Sequence, residues 1–413
     1  FGKGFEELLM RSKSNGVRYV RGLPGEVRQD PASANLHVVV ENTTASRLEN
    51  HEFDMLVLAV GATPATDTEM VRQLVSLSKS SSGFLKEAHA KLRPVDTPTK
   101  GVYIAGAAES PKDVRESVTQ ASAAASHASI LLNKSRFAVE AITAIVDEDL
   151  CKMCGQCAAV CPFGAIQWEK KQVARVTSAA CAGCGTCAGE CKFGAIEMRH
   201  FSDQAIYAQI DAIVDERPLE KIVTFACNWC SYAGADTAGV SRMAYPPNAR
   251  IIRTMCSGRV SPEFVWYAFK KGAPVVLVSG CHYADCHYID ANRSTTRRMD
   301  GLWDGLEKAG VRPERLQLEW CSAAEGARWQ TIMHEVEKKR QRVTLEEVEH
   351  ARETLAKARV PSPRNPRPSD ENQDAGFACL RCGHEWTGFF SRNAERTCPQ
   401  CRSNSVRWLR QQR

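Results

Sequence analysis

The residues best suited to chemistry in this chain are its cysteines. "CKMCGQCAAVCPFGAI" starts at Cys151 and "CAGCGTCAGECKFGAI" repeats the phrase from Cys181, so eight of the 18 cysteines fall into two C-x2-C-x2-C-x3-C runs. In such a run three thiolates from one tight loop hold one cubane, and the fourth, displaced onto the next turn, reaches the neighbouring cluster. The spacing predicts crossed ligation: Cys151, Cys154, Cys157 and Cys191 for one [4Fe-4S] cluster, and Cys181, Cys184, Cys187 and Cys161 for the second. Soft thiolates without an accompanying His or carboxylate favour iron–sulfur chemistry over a hard metal. Two structural zinc knuckles would keep four ligands in each local group and would not explain this spacing. A pair of interlocked clusters reads as an electron conduit.

Six further cysteines end or follow four apolar runs. Cys227 and Cys230 belong to "KIVTFAC" and the loop after it, Cys256 to "ARIIRTMC", Cys281 and Cys286 to "APVVLVSGC" and its loop, and Cys321 to "RLQLEWC". If these runs are strands of one parallel sheet, their carboxyl ends share the edge at which open sheets bind ligands. Cys321 alone reads as a small core hydrophobe. The other five sit beside polar and aromatic loops, "CNWCSY" and "GCHYADCHY", and compete for four ligand positions. Each of the pairs Cys227/Cys230 and Cys281/Cys286 could give two thiolates to one iron, with Cys256 replacing a member of either. Cys230 or Cys286, farther from its strand end, is expected to be dispensable. His282 and His287 are conceivable ligands that read better as solvated loop residues.

The last four cysteines have a different form. Cys379 and Cys382, then fifteen residues, then Cys398 and Cys401 give a zinc-ribbon spacing that closes one tetrahedron. The Cys-Gly and Cys-Pro knuckles also resemble rubredoxin, but without its aromatic core, so zinc is expected ahead of redox iron. A module this small cannot build a sufficient core, and its metal would be most of its fold. Docking to a neighbouring subunit is its expected role.

What must position these groups is an α/β multidomain chain. A length of 413 residues suggests roughly three domains. The runs from Lys221 to Lys339 alternate with helical patterns such as "SPEFVWYAFKKG", which specifies a four-stranded parallel sheet covered on both faces. Upstream, "NLHVVVEN", "FDMLVLAVG" and the start of "GVYIAGAAES" read as strands, the last leading into a helix of small residues from about Ser117 to Leu132. Thr344 and Glu347 form a capping box for a spacer helix, and "VPSPRNPRPSDENQD" is a Pro-rich linker. The expected domains are 1–140, 145–200, 215–340, a helix and linker at 341–374, and a module at 375–413. With 54 basic and 48 acidic residues there is no single-sign field to recruit nucleic acid. No apolar run is long enough for a membrane span or fits a secretory signal, and close Cys-x-x-Cys pairs fit a cytoplasmic chain. The opening Phe, in mid-fold, suggests a piece of a longer polypeptide.

Three resemblances follow from these residues. Over about 50 residues the twin run, with Pro162 after Cys161, resembles the two-cluster bacterial ferredoxin domain; Lys192 stands where the second proline would be. "CNWCSYAGAD", "GCHYADCHY" and "SAAEG" resemble the delta iron–sulfur subunit of hydrogenases that do not reduce the deazaflavin cofactor. That likeness implies one [2Fe-2S] cluster and docking to a hydrogenase or formate dehydrogenase. "GFLKEAHAKLRPVDTPTKGVYIAGAAESPKDVRESVTQASAAA" is similar to the end of the flavin domain in the A-type subunit of heterodisulfide reductase, which precedes a two-cluster insert. That family's pattern implies that Gly106 lets the backbone approach FAD, Lys112 lies near the isoalloxazine, and the helix near Ser117 points its positive end at the ring. Ala107 replaces an Asp that binds the ribityl chain in relatives, and no G-x-G-x-x-G is present, so FAD would also need residues upstream of Phe1. Fusions of the two families include the B-type subunit of the quinone-interacting membrane-bound oxidoreductase, which would add a quinone-linked membrane partner. The expected function is electron transfer between FAD, two [4Fe-4S] clusters and a [2Fe-2S] cluster, with no catalytic acid, base or nucleophile in view. The opposing class is a metal-stapled scaffold without redox turnover.

Overall fold

The structure is a computed structural model that describes the chain except residues 1–3, 76, 78, 81, 89–92, 98, 137–140, 364–370, 372 and 410–413. It divides into two compact units, residues 1–62 and 63–413. In the first, helix α1 (Glu6–Ser14) accompanies an antiparallel sheet of β1 (Pro24–Gln29), β2 (Leu36–Asn42) and β3 (Arg47–Phe53), in which the expected "NLHVVVEN" strand is central. "FDMLVLAVG" is not a strand: β3 ends at Phe53, and Val57, Leu58 and Val60 are exposed. An apolar run becomes a strand only where a neighbour takes its hydrogen bonds, and none of the described residues does so here.

The second unit opens with α2 (Thr68–Leu74) and a small core of Leu77, Leu85 and Ile104. The expected strand at Val102–Ala105 shrinks to a single bridge, Tyr103 to Asp96, before a tight turn at Gly106–Ala108. Helix α3 (Val114–Leu132) begins ahead of Ser117, because Asp113 caps it: its carboxylate accepts from the Glu116 amide while the Glu116 side chain accepts from the Asp113 amide.

The twin cysteine runs fold as two matching halves. β4 (Ala144–Val146) pairs antiparallel with β7 (Ile196–Met198), and β5 (Ile166–Gln167) with β6 (Arg175–Val176). Each half carries one short helix, α4 (Gln156–Ala159) and α5 (Thr186–Glu190), entered through a left-handed glycine, Gly155 at φ +75° and Gly185 at φ +76°. No side chain could sit comfortably there, because a Cβ on Gly155 would lie 2.9 Å from the Trp168 ring.

After α6 (Asp203–Asp215) comes the parallel sheet: β8 (Ile222–Cys227), α7 (Ser231–Val240), β9 (Ala249–Thr254), α8 (Pro262–Lys271), β10 (Val275–Gly280), α9 (Ala291–Lys308), β11 (Leu316–Trp320) and α10 (Gly326–Gln341). All neighbours are parallel and the order is β11-β10-β8-β9. Alternation splits the strand side chains between two cores. Val223, Phe225, Val276 and Val278 face α6, α8 and α9, while Ile222, Ala226, Val275 and Leu277 face α7 and α10. Trp303 and Trp329 are fully buried on opposite faces, and truncating either to Ala would cost about 3–5 kcal/mol. Cys321 packs in the second core beside Trp329, its thiol donating to backbone carbonyls. Helix α11 (Leu345–Lys357) carries the expected Thr344/Glu347 capping box and buries Val348, Ala351 and Leu355.

The last cysteines lie on a three-stranded antiparallel sheet of β12 (Asp374–Cys379), β13 (Glu385–Phe389) and β14 (Val406–Leu409). This module does not stand apart. Its 403–405 loop runs along the free edge of β11, where Ser405 Oγ accepts from the Leu318 amide at 3.0 Å and Asn404 Oδ1 from the Trp320 amide at 3.2 Å. An exposed sheet edge is thereby covered.

Candidate metal centres

The fold brings the twin-run cysteines into two groups that cross the halves. Cys157, at the start of the first helix, has Cys151, Cys154 and Cys191 as its thiol neighbours. Cys161, Cys181, Cys184 and Cys187 together line one small cavity, with Phe163, Ile166, Met198 and small residues around it. Burial pushes the Cys157 thiol up to about 11 and Cys184 to about 12, and the neighbouring thiols add to it. Without a cation these groups hold their protons, so a metal would have to draw the thiolates out. The lining offers four thiols and the Thr186 hydroxyl but no carboxylate or imidazole, which fits an iron–sulfur cluster better than a hard cation. Lys192, at the departure from the ferredoxin pattern, donates to Ser362 Oγ at 3.1 Å.

The five strand-end cysteines converge as well. Connections leave β8 and β10 in opposite directions, so the crevice between their carboxyl ends is the switch point of the sheet, where open α/β sheets bind ligands. Cys227 ends β8 and Cys281 follows β10, with their sulfurs 3.8 Å apart across that crevice. Cys256 reaches Cys227 and Cys286, and Cys286 reaches Cys281, which closes a ring of four thiols. Cys230 reaches the ring through Cys281. All five are buried. The thiols of Cys256 and Cys281 hold Cys227 and Cys286 well below the usual range and keep their own protons, so the ring shares charge pairwise. The Gly258 amide points at Cys256 Sγ from 3.4 Å.

Sequence reasoning paired these cysteines within their loops; Cys281 and Cys286 do meet, and the sheet adds contacts across strands, Cys227 to Cys281 and Cys256 to both Cys227 and Cys286. The two histidines are engaged differently. His282 is bracketed by carboxylates, Nδ1 2.8 Å from Glu395 and Nε2 2.9 Å from Glu325, and Glu395 beside it raises its pKa. His287 stacks on Trp229 with ring centres 3.8 Å apart, and burial lowers its pKa.

The ring and the second twin-run group are adjacent. Cys184 belongs to the same buried cluster as the five strand-end cysteines, Tyr288 and Ala291, with Phe163 and Ala182 packed against it. Phe163 meets Tyr288 edge to face at 6.3 Å. This proximity was invisible in the sequence.

At the carboxyl end the four sulfurs of Cys379, Cys382, Cys398 and Cys401 all lie within 4.8 Å of one another. The Cys379–Cys401 and Cys382–Cys398 separations are 3.6 and 3.7 Å, against about 3.8 Å for the edge of a tetrahedron with 2.3 Å metal–sulfur bonds. One ion fits. The module is anchored by a fully buried carboxylate, Glu319 on β11, which accepts from Ser403 Oγ and Ser405 Oγ and lies 2.9 Å from the Arg381 guanidinium. Arg396 pairs with Asp300 at 2.9 Å and Arg407 with Asp304 at 2.8 Å.

The three residues matched to a flavin site are engaged within their own segment. The Gly106 amide donates to Gln120 Oε1 at 2.7 Å, Lys112 pairs with Glu109 and donates to Ser110 Oγ, and Ser117 Oγ donates to the Asp113 carbonyl at 2.8 Å.

Comparison with known proteins gives these centres a context. The family described as methyl-viologen-reducing hydrogenase, delta subunit, matches residues 222–343, and the 4Fe-4S binding domain matches 144–167. The chain is 43% identical over 335 residues to the A-type subunit of the ferredoxin/F(420)H(2)-dependent CoB-CoM heterodisulfide reductase of Methanosarcina acetivorans, covering 81% of this chain and 42% of that protein. It is 49% identical over 218 residues to the A-type subunit of the H(2):CoB-CoM heterodisulfide,ferredoxin reductase of Methanothermobacter thermautotrophicus, covering 52% of this chain and 33% of that one. The D-type iron–sulfur subunit of the vhc F420-non-reducing hydrogenase of Methanococcus voltae is 53% identical over 116 residues, which are 28% of this chain and 81% of that protein. The chain therefore spans less than half the length of the heterodisulfide reductase subunits it matches. Among the described residues no helix is long and apolar enough to cross a membrane.

Proposed function

Because the chain belongs to the family of the delta iron–sulfur subunit of hydrogenases and is homologous to the A-type subunit of heterodisulfide reductases, we propose that it is an iron–sulfur electron-transfer subunit of a heterodisulfide-reductase-like oxidoreductase complex. The observation that carries this reading is the shared buried cluster of Cys184 with Cys227, Cys256, Cys281 and Cys286. It joins two of the three thiolate sites, and the first twin-run group adjoins the second where Cys157 and Cys187 share one core.

Clusters bound at these sites would supply one-electron redox chemistry. The protein's part is to hold and insulate. Cys151, Cys154, Cys157 and Cys191 would ligate one cubane, and Cys161, Cys181, Cys184 and Cys187 the other. Cys227, Cys256, Cys281 and Cys286 would ligate the [2Fe-2S] cluster, leaving Cys230 as the spare. Phe163 and Tyr288 exclude water between the second cubane and the strand-end site. The order along the path is then first cubane, second cubane, [2Fe-2S], with the last facing a partner subunit in the cytoplasm. Zinc in the terminal ribbon would be structural. For FAD, the segment has the expected succession of turn, Gly and helix, and the donors of Gly106, Lys112 and Ser117 bond within it.

The test is a Ser series on the anaerobically reconstituted full chain, read by electron paramagnetic resonance after dithionite reduction. C227S, C256S, C281S and C286S should each abolish the [2Fe-2S] signal, since a hydroxyl is a poor ligand for soft iron, and C230S should keep it. A wild-type chain that holds only zinc, or no reducible cluster, would return the scaffold reading.

A further inference from the structure

Two arginines that carry no motif lie in the contact between the second cubane loop and the strand-end site. Arg298 on α9 is fully buried, and Arg259, just past Cys256, is 1% exposed. Arg298 Nη2 donates to the Gly258 carbonyl at 2.8 Å and Nη1 to the Val260 carbonyl at 2.9 Å, which fixes the turn whose amide points at Cys256. On its other side the same guanidinium presses against α5. A Cβ on Gly189 would fall 2.1 Å from Arg298 Nη1, and one on Gly185 would fall 2.5 Å from Arg259 Cδ. Two glycines of the cysteine run are thus placed where arginines must pass.

The hydrogen bonds of Arg298 all go to neutral carbonyls, and its charge is met by an ion pair rather than by a hydrogen bond. Its carboxylate partner is the buried Glu190, on α5 between Cys187 and Cys191, whose Oε2 lies 3.6 Å from Arg298 Nε without a hydrogen bond and whose Oε1 lies 3.6 Å from Arg297 Nη2. Four thiolates give every iron–sulfur site a net negative charge, and each added electron deepens it. Burial lowers the local dielectric, so a fixed charge beside such a site acts strongly. Net charge and hydrogen bonds to the sulfurs are the levers by which a protein sets cluster potential.

We propose that the buried Arg298–Glu190 pair sets the potential of the strand-end [2Fe-2S] site relative to the second cubane, Arg298 favouring the reduced state by its charge and by its hold on the Cys256 turn, and Glu190 opposing it. Arg298 is on this view a positioning residue, acting through Gly258 and through space. The inference rests on the electron-transfer reading above.

The experiment is a redox titration of the full chain with dithionite as electron source, each cluster followed by its own paramagnetic signal. Arg298→Gln should lower the reduced-to-oxidised ratio of the [2Fe-2S] site about tenfold at fixed potential, a shift of about 59 mV downward for a one-electron couple. Glu190→Gln should move it upward, and Arg298→Lys, which keeps the charge, should fall between Arg298→Gln and wild type. Unchanged [2Fe-2S] potentials in intact Arg298→Gln protein overturn the proposal. If Arg298→Gln does not fold, the decision passes to Glu190→Gln, where no shift or a downward one overturns it. A wild type without a reducible [2Fe-2S] site fails earlier and for a different reason, because it removes the functional reading itself.

Discussion

The terminal four-cysteine module and the strand-end ring hold similar numbers of thiols in opposite ways. Cys379 to Cys401 are close in sequence, and their sulfurs converge within 4.8 Å on two knuckles. The ring draws Cys227, Cys256, Cys281 and Cys286 from the ends of three strands, and a prebuilt sheet places them. An ion at the first would close a small module from within its own segment; the second is placed by a sheet that folds around a separate core. Metal removal should therefore hurt the first structurally and the second functionally.

The largest effect expected is from Cys398→Ser. Structural zinc binding is worth about 10–16 kcal/mol in small modules, and most of it is folding free energy. Losing the ion should unfold β12–β14, and with them the cover on the edge of β11. Zinc content and the thermal melt of the full chain would both drop. Cys256→Ser, by contrast, should erase its cluster signal while shifting sheet stability by under about 2 kcal/mol. A Cys398→Ser chain that melts cooperatively at the wild-type temperature would remove the distinction.

Next in size is Glu319→Ala. It leaves Arg381 buried without its carboxylate, and breaking a buried ion pair from one side costs about 3–5 kcal/mol. Denaturant titration should show that loss, yet zinc bound at the module should remain in the native protein, because none of its ligands lies on the parallel sheet. Zinc lost together with Glu319 would mean that the module's site depends on the sheet as the ring does.

The same contrast explains what the sequence disclosed. The twin runs and the terminal module announce themselves because their ligands are neighbours in the chain, and the strand-end cysteines because parallel strands share an edge. Pairing across strands is a different matter. That Cys227 meets Cys281 follows from the order β11-β10-β8-β9, which no spacing encodes. The docking of the terminal module was missed, although a signal existed: Gln317 and Glu319 are polar residues inside "RLQLEWC", a run expected to be buried, and buried polar groups require partners. Those partners are Ser403 and Ser405, more than eighty residues away. "FDMLVLAVG" failed for the converse reason, since its apolar character says nothing about whether a neighbouring strand is present to pair with it.

The smallest prediction supplies the control for both sites. Thr344 caps α11: its hydroxyl accepts from the Glu347 amide at 3.2 Å, and the Glu347 carboxylate accepts from the Thr344 amide at 3.0 Å. Helix α11 carries no cysteine, but its Ala351 and Leu355 belong to the core on the α8 face of the sheet. Thr344→Ala removes one cap hydrogen bond and should cost about 1 kcal/mol. A change of that size, made in the scaffold alone, should lower the denaturation midpoint and leave zinc content and the [2Fe-2S] signal at wild-type levels. If the [2Fe-2S] signal fell while zinc held, the ring would be limited by the stability of the sheet that places it, and the contrast between the two sites would sharpen. If zinc fell as well, the two sites would share one cooperative unit, and the local character of the terminal module would have to be given up.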